Sequence, residues 1–122
     1  MVLGAPVSTK KILVAEDDDL LSEVLAAALE ARGYTVDQAP AGLITPEMAR
    51  EADLVILDAH IPGADFDSTL ESLRRSEVGV LVLSGELSPP PGVSDDEYLG
   101  KPVDLNHLLG AVERLATPTV EG

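Results

Sequence analysis

The sequence contains no cysteine, so disulfides and thiolate metal sites are excluded. That fits a reducing compartment. No apolar run approaches the ~20 residues that a membrane helix needs. The opening residues, MVLGAPVSTKK, show no long apolar core behind a basic start and do not read as a signal peptide. Basic residues are scarce: 8 stand against 22 acidic ones, for a formal net charge of −14. Such a surface repels phosphate backbones and anionic membranes, which argues against direct nucleic-acid or membrane binding. It suits a basic protein partner or a divalent cation; equally, it can serve solubility alone. No internal repeat is visible.

What is present is a chain of 122 residues, 45% of them apolar. That is the size of one domain with its own core. Residues 1–9 and 117–122 read as an N-terminal tail and a C-terminal tail or linker, leaving a domain at 10–116. Lys11–Ala15, Asp53–Leu57 and Val78–Leu83 are continuous apolar runs, the pattern of strands covered on both faces. Tyr34–Gln38 and Tyr98-Leu99 read as shorter strands. Leu21, Val24, Leu25, Ala28 and Leu29 recur at helical spacing, with Asp18 or Asp19 as cap and Gly33 as stop. Thr45-Pro46 opens a brief second helix that stops near Glu51. Phe66, Leu70 and Leu73 mark a third. A last helix, capped by Asp104, turns Leu105, Leu108, Val112 and Leu115 inward. Between them, Ser88-Pro89-Pro90-Pro91-Gly92 cannot be helical, because proline lacks the amide and clashes with the preceding turn. Alternating strands and helices predict a parallel sheet with helices on both faces.

Parallel strands present their carboxyl ends on one edge, where ligands bind. Three apolar runs end there in polar residues: the first at Glu16-Asp17, the second at Asp58, the third at Ser84. Lys101 follows the last short strand and precedes Pro102. Crowded carboxylates repel, and a hard cation such as Mg²⁺ relieves that repulsion through a few carboxylates, a carbonyl and retained waters. An aspartate beside such an ion can act as a nucleophile toward a phosphoryl group. The rest of that chemistry is positioning and neutralisation of the equatorial oxygens, which an ammonium and a hydroxyl donor supply. Each residue alone has a plainer reading: Glu16-Asp17 as helix-dipole partners, Asp58 and Ser84 as turn residues, Lys101 as a solvated charge, Tyr98 as packing. His60 and His107 have no neighbours converging on them and are poor side-chain ligands.

Together these residues resemble the response-regulator receiver domains of two-component signalling. The resemblance rests on Ile12-Leu13-Val14-Ala15-Glu16-Asp17-Asp18, on Leu57-Asp58-Ala59-His60-Ile61-Pro62-Gly63, on Ser84, and on Tyr98-Leu99-Gly100-Lys101-Pro102. It spans residues 10–116. It implies a flavodoxin-like (βα)5 doubly wound parallel sheet with strand order 2-1-3-4-5. It implies Asp58 as phospho-acceptor, and Mg²⁺ or Mn²⁺ held by Glu16, Asp17, Asp58 and the main-chain carbonyl of His60. Ser84 and Lys101 would contact the phosphoryl group, and Tyr98 would be a switching aromatic. A histidine kinase or phosphotransfer protein would donate, and a downstream protein in the cytoplasm would receive the signal. The module would not itself be an enzyme.

Two departures stand out. Ser84 is followed by Gly85-Glu86, and the stretch to Lys101 is short and proline-rich. The fourth helix of the family is therefore expected to be shortened or absent. That helix contributes to the usual dimer face, so a monomer or weak dimer is expected. The competing reading is a pseudo-receiver that works as a scaffold without phosphorylation. An aspartyl-phosphate-type phosphatase is a poor fit, because such enzymes need a second aspartate where His60 stands.

Overall fold

A computed structural model describes residues 10–116, and the two predicted tails lie outside the described residues. Five strands alternate with helices in the order β1 (Lys11–Ala15), α1 (Asp19–Glu30), β2 (Thr35–Gln38), α2 (Pro46–Glu51), β3 (Leu54–Asp58), α3 (Phe66–Arg75), β4 (Gly79–Ser84), β5 (Tyr98–Gly100) and α4 (Leu105–Ala116). All pairings are parallel, and the strand order is β2-β1-β3-β4-β5. This is the flavodoxin-like sheet expected from the sequence.

The strands are apolar throughout because both faces are covered. Ile12, Val14, Leu54, Ile56, Leu81 and Leu83 pack under α1 and α4, with Leu25, Leu29, Leu108 and Val112. The alternate residues, Leu13, Ala15, Val55, Leu57, Val80 and Val82, face α2 and α3, with Ala49, Leu70 and Leu73. Burying a side chain of the Leu or Ile class contributes about 1.5–3 kcal/mol, so these two layers dominate the folding energy.

Helix ends are set by local chemistry. Asp18, rather than Asp19, caps α1, accepting from Leu21 N at 3.1 Å. Thr45 caps α2 and Asp65 caps α3. Asp104 accepts from His107 N at 3.1 Å at the start of α4.

Two inward faces differ from expectation. Val24 is 40% exposed on α1, where Ser22 and Ala26 are buried instead. The helix is rolled so that small residues meet the sheet, and Ser22 Oγ accepts a 2.8 Å hydrogen bond from Gln38 Nε2 at the end of β2. On α4, Leu105 is 37% exposed and Leu115 only half-buried, while Ala111 and Ala116 are inside.

Between β4 and β5 the described residues hold no α-helix. A single 3₁₀ turn at Asp95–Glu97 is the only helical piece, as the prolines require. Arg74 of α3 pins this loop, bonding Glu97 through Nη1–Oε2 at 2.7 Å and Nη2–Oε1 at 2.8 Å, and Gly92 O at 2.7 Å. Arg114 of α4 adds a 3.0 Å bond to Asp96 O. Beyond these anchors Leu87 is fully exposed.

Candidate functional site

The strand order reverses between β1 and β3, the point at which an open parallel sheet leaves a crevice at its carboxyl edge. Ala15 pairs with Leu57, so Glu16-Asp17 and Asp58 emerge side by side. One carboxylate oxygen from each of Glu16, Asp17 and Asp58 lies within 4.8 Å of the others. Next in the sheet, Asp58 pairs with Leu83 and Ser84 with Gly100. A 2.8 Å bond from Lys101 N to Ser84 O then aims the lysine back across the edge. Its Nζ sits 2.9 Å from Glu16 Oε1 and 3.1 Å from Asp58 Oδ2.

Burial differs sharply across the acidic trio. Glu16 is 3% exposed and Asp58 4% exposed, whereas Asp17 faces solvent. Asp58 Oδ1 accepts a 3.0 Å bond from His60 N. Glu16 Oε2 accepts from Asp18 N at 3.1 Å. Glu16 Oε1 is buried against the Lys101 ammonium, 2.9 Å away.

The electrostatics follow. Burial, then the neighbouring Asp58, pushes the Glu16 carboxyl up to about 7, against the pull of Lys101 and the Asp18 amide. Burial alone would raise Asp58 too; hydrogen bonding with Glu16, the His60 amide and Lys101 outweighs it and holds Asp58 below the usual carboxylate range. Burial would lower Lys101, but the two carboxylates hold it above its ordinary value. Three carboxylates against one ammonium leave the crevice negative. Three carboxylate oxygens within 4.8 Å of one another, with a single ammonium beside two of the groups, fit a small divalent cation, which takes a few such oxygens and retains waters.

The flanking residues complete the edge. Ser84 is buried, and its Oγ accepts from Glu86 N at 3.1 Å, which leaves its own hydroxyl hydrogen free to donate. The Tyr98 hydroxyl donates to Glu86 O. The side chains of His60 and His107 are exposed and belong to no cluster of potential ligands among the described residues.

The family model for the response regulator receiver domain matches residues 12–113. The chain belongs to that family. The DNA-binding dual master transcriptional regulator RpaA of Synechocystis is 32% identical to it over 120 residues, 89% of this chain and 50% of RpaA. The transcriptional regulatory protein TcrA of Mycobacterium tuberculosis is 33% identical over 121 residues, 90% of this chain and 47% of TcrA. The chain thus spans about half the length of these curated relatives. Among solved structures, the receiver domain of the hybrid histidine kinase CckA superposes with a TM-score of 0.69 at 32% identity, covering 88% of this chain and 99% of that one. The non-phosphorylated HemR receiver domain of Leptospira biflexa gives 0.73 at 26% identity, covering 93% and 99%.

As a receiver domain, the chain is a signalling module of two-component systems. The structure brings Glu16, Asp17, Asp58 and Lys101 together and sets Ser84 at the next strand end. Sequence reasoning passes over Gly42, which lies in the 3₁₀ turn Pro40–Gly42, where any side chain would run into Asp17 N and Ile61. Its only sequence signal is a glycine after Pro40-Ala41, which reads as an ordinary turn.

Proposed function

We propose that this receiver domain accepts a phosphoryl group on Asp58 and signals by protein contact. The observation that carries the reading is the meeting of three carboxylates within 4.8 Å, with Lys101 Nζ 3.1 Å from Asp58 Oδ2. Asp58 is the buried member held ionised, as a nucleophile must be. A carboxylate oxygen of Asp58 would attack the phosphorus of a phosphohistidine on a kinase or phosphotransfer protein. The phosphorus–nitrogen bond breaks, its electron pair leaves with the imidazole, and the imidazole takes up a proton. The product is an aspartyl phosphate.

Glu16, Asp17, Asp58 and the main-chain carbonyl of His60 are the groups that would hold Mg²⁺ or Mn²⁺. A bound cation there would neutralise the carboxylates and the equatorial phosphoryl oxygens. Lys101 would transfer its contact from the carboxylates to those oxygens, and Ser84 would donate its free hydroxyl hydrogen. Drawing Ser84 inward takes it from Glu86 N, and Glu86 O is the atom that holds Tyr98. In this reading the Glu86 backbone links the site to a Tyr98 rotamer change.

The output is a protein contact in the cytoplasm rather than an enzymatic product. The net charge of −14 disfavours nucleic acid and membrane as direct partners. With no α-helix between β4 and β5, the domain is read as a monomer or weak dimer. Among the described residues no helix is long and apolar enough to cross a membrane.

The test is intact-mass measurement after incubation with an acyl phosphate donor. The wild-type chain gains one phosphoryl group with Mg²⁺ and none with chelator, and Asp58→Asn gains none. Equal labelling of Asp58→Asn would sink the assignment.

A further inference from the structure

The acidic crevice has a wall that contributes no side chain. After β2 the chain turns back across the end of β1. Ala39 N bonds Val14 O at 2.9 Å, and Gly42 N bonds Ala39 O at 2.9 Å. The reversal places Ala41 at φ 53° and Gly42 at φ +76°, the left-handed region where an L side chain is strained. Gly42 is buried there. A Cβ built on it would lie 3.0 Å from Ile61 Cδ1, 3.2 Å from Ile61 Cγ2 and 3.2 Å from Asp17 N.

Those contacts belong to two different loops. Asp17 sits in the loop after β1 that carries the acidic pair. Ile61 sits in the loop after β3, three positions beyond Asp58, and is 6% exposed. A cleft of about 20 Å³ is lined by Gly42, Ile61 and Asp58 together. A terminal methyl of Ile61 can swing away. Asp17 N is a backbone atom, so relieving its contact shifts the residue itself, in the segment where the next amide, Asp18 N, bonds Glu16 Oε2 at 3.1 Å.

We propose that Gly42 is a positioning residue: its missing side chain lets the turn close onto the Asp17 backbone and Ile61 and so sets the spacing of the acidic site. The inference rests on the cation-binding reading of Glu16, Asp17 and Asp58. It assigns to the turn after β2, which holds no ligand, control over ligand geometry.

Gly33 supplies the control. It has φ +95° just after α1, at the other end of the sheet, and a Cβ there would meet nothing within 4 Å. Gly33→Ala therefore imposes comparable backbone strain without touching the site.

The experiment is calorimetric titration of the full chain with Mg²⁺ at fixed ionic strength, with urea midpoints taken on the same samples. Gly42→Ala should bind Mg²⁺ on the order of tenfold more weakly, the scale of losing a group that orients a metal ligand. Gly33→Ala, destabilised to a similar extent, should bind like the wild type. Should Gly42→Ala not fold, Gly42→Ala/Ile61→Val carries the test; it removes the Cδ1 contact, keeps the Asp17 contact and should still bind weakly. Wild-type affinity in the folded Gly42 variant, or equal weakening in Gly33→Ala, overturns the proposal and leaves the cation site standing. A wild-type chain that takes up no Mg²⁺ overturns both.

Discussion

Arg74 holds the loop that stands where a fourth helix is missing, and its removal has a calculable effect. The guanidinium makes two parallel bonds to Glu97, at 2.7 and 2.8 Å, and a third to Gly92 O. Arg74, by hydrogen bonding, draws the Glu97 carboxyl down from its ordinary 4.5 to about 2. At about 1.4 kcal/mol per pH unit that displacement sets a ceiling of about 3 kcal/mol. The Arg74 side chain is 38% exposed, so solvent screening brings the expected contribution to about 1–2 kcal/mol.

The sign follows from linkage. Glu97 binds protons less readily folded than unfolded, so its stabilisation is complete above its ordinary value and fades as pH falls toward 2. Urea denaturation of wild type, Arg74→Ala, Glu97→Gln and the double variant gives the coupling directly. The cycle should return about 1–2 kcal/mol near pH 7, and clearly less near pH 3. Hydrogen exchange should quicken at residues 92–97 in Arg74→Ala while β1 and β3 keep their protection. A coupling near zero, or one equal at both pH values, would refute the reasoning.

Two further outcomes follow from the same structure. Glu16→Gln keeps the volume of Glu16 but removes one of the crowded carboxylates, so metal-free stability in urea should rise by about 1 kcal/mol, and the extra stabilisation by added Mg²⁺ should disappear. Glu77 sits at φ 60° between α3 and β4; Glu77→Gly should be neutral to about 1 kcal/mol stabilising by thermal unfolding, the relief of left-handed strain being partly offset by the unfolded-state entropy of glycine.

Most of the fold is legible in the sequence because its strands are covered on both faces. Lys11–Ala15, Leu54–Asp58 and Gly79–Ser84 appear as apolar runs whose ends fall on one edge. Once the ends are aligned, Glu16, Asp17, Asp58 and Ser84 need no further information to converge, and Lys101 joins through its short link to Ser84. Periodicity is blind to small residues, so it takes Val24 and Leu105 as inward when Ser22, Ala26 and Ala111 fill those places. The unequal burial of Glu16 and Asp17 depends on how the loop leaves β1, which neighbouring acidic letters do not encode. The Arg74–Glu97 clamp spans 23 positions of chain and looks like two ordinary surface charges. Gly42 is invisible for a related reason: its role is a distance to Asp17 and Ile61, not a side chain.

The central claim is that Asp58 receives the phosphoryl group. Borohydride reduction of the donor-treated chain converts an aspartyl phosphate to homoserine, and peptide mapping locates it. Homoserine at position 58, dependent on donor and Mg²⁺, is the predicted result. Homoserine at position 17 instead, or at no position in a chain that binds Mg²⁺, would contradict the account.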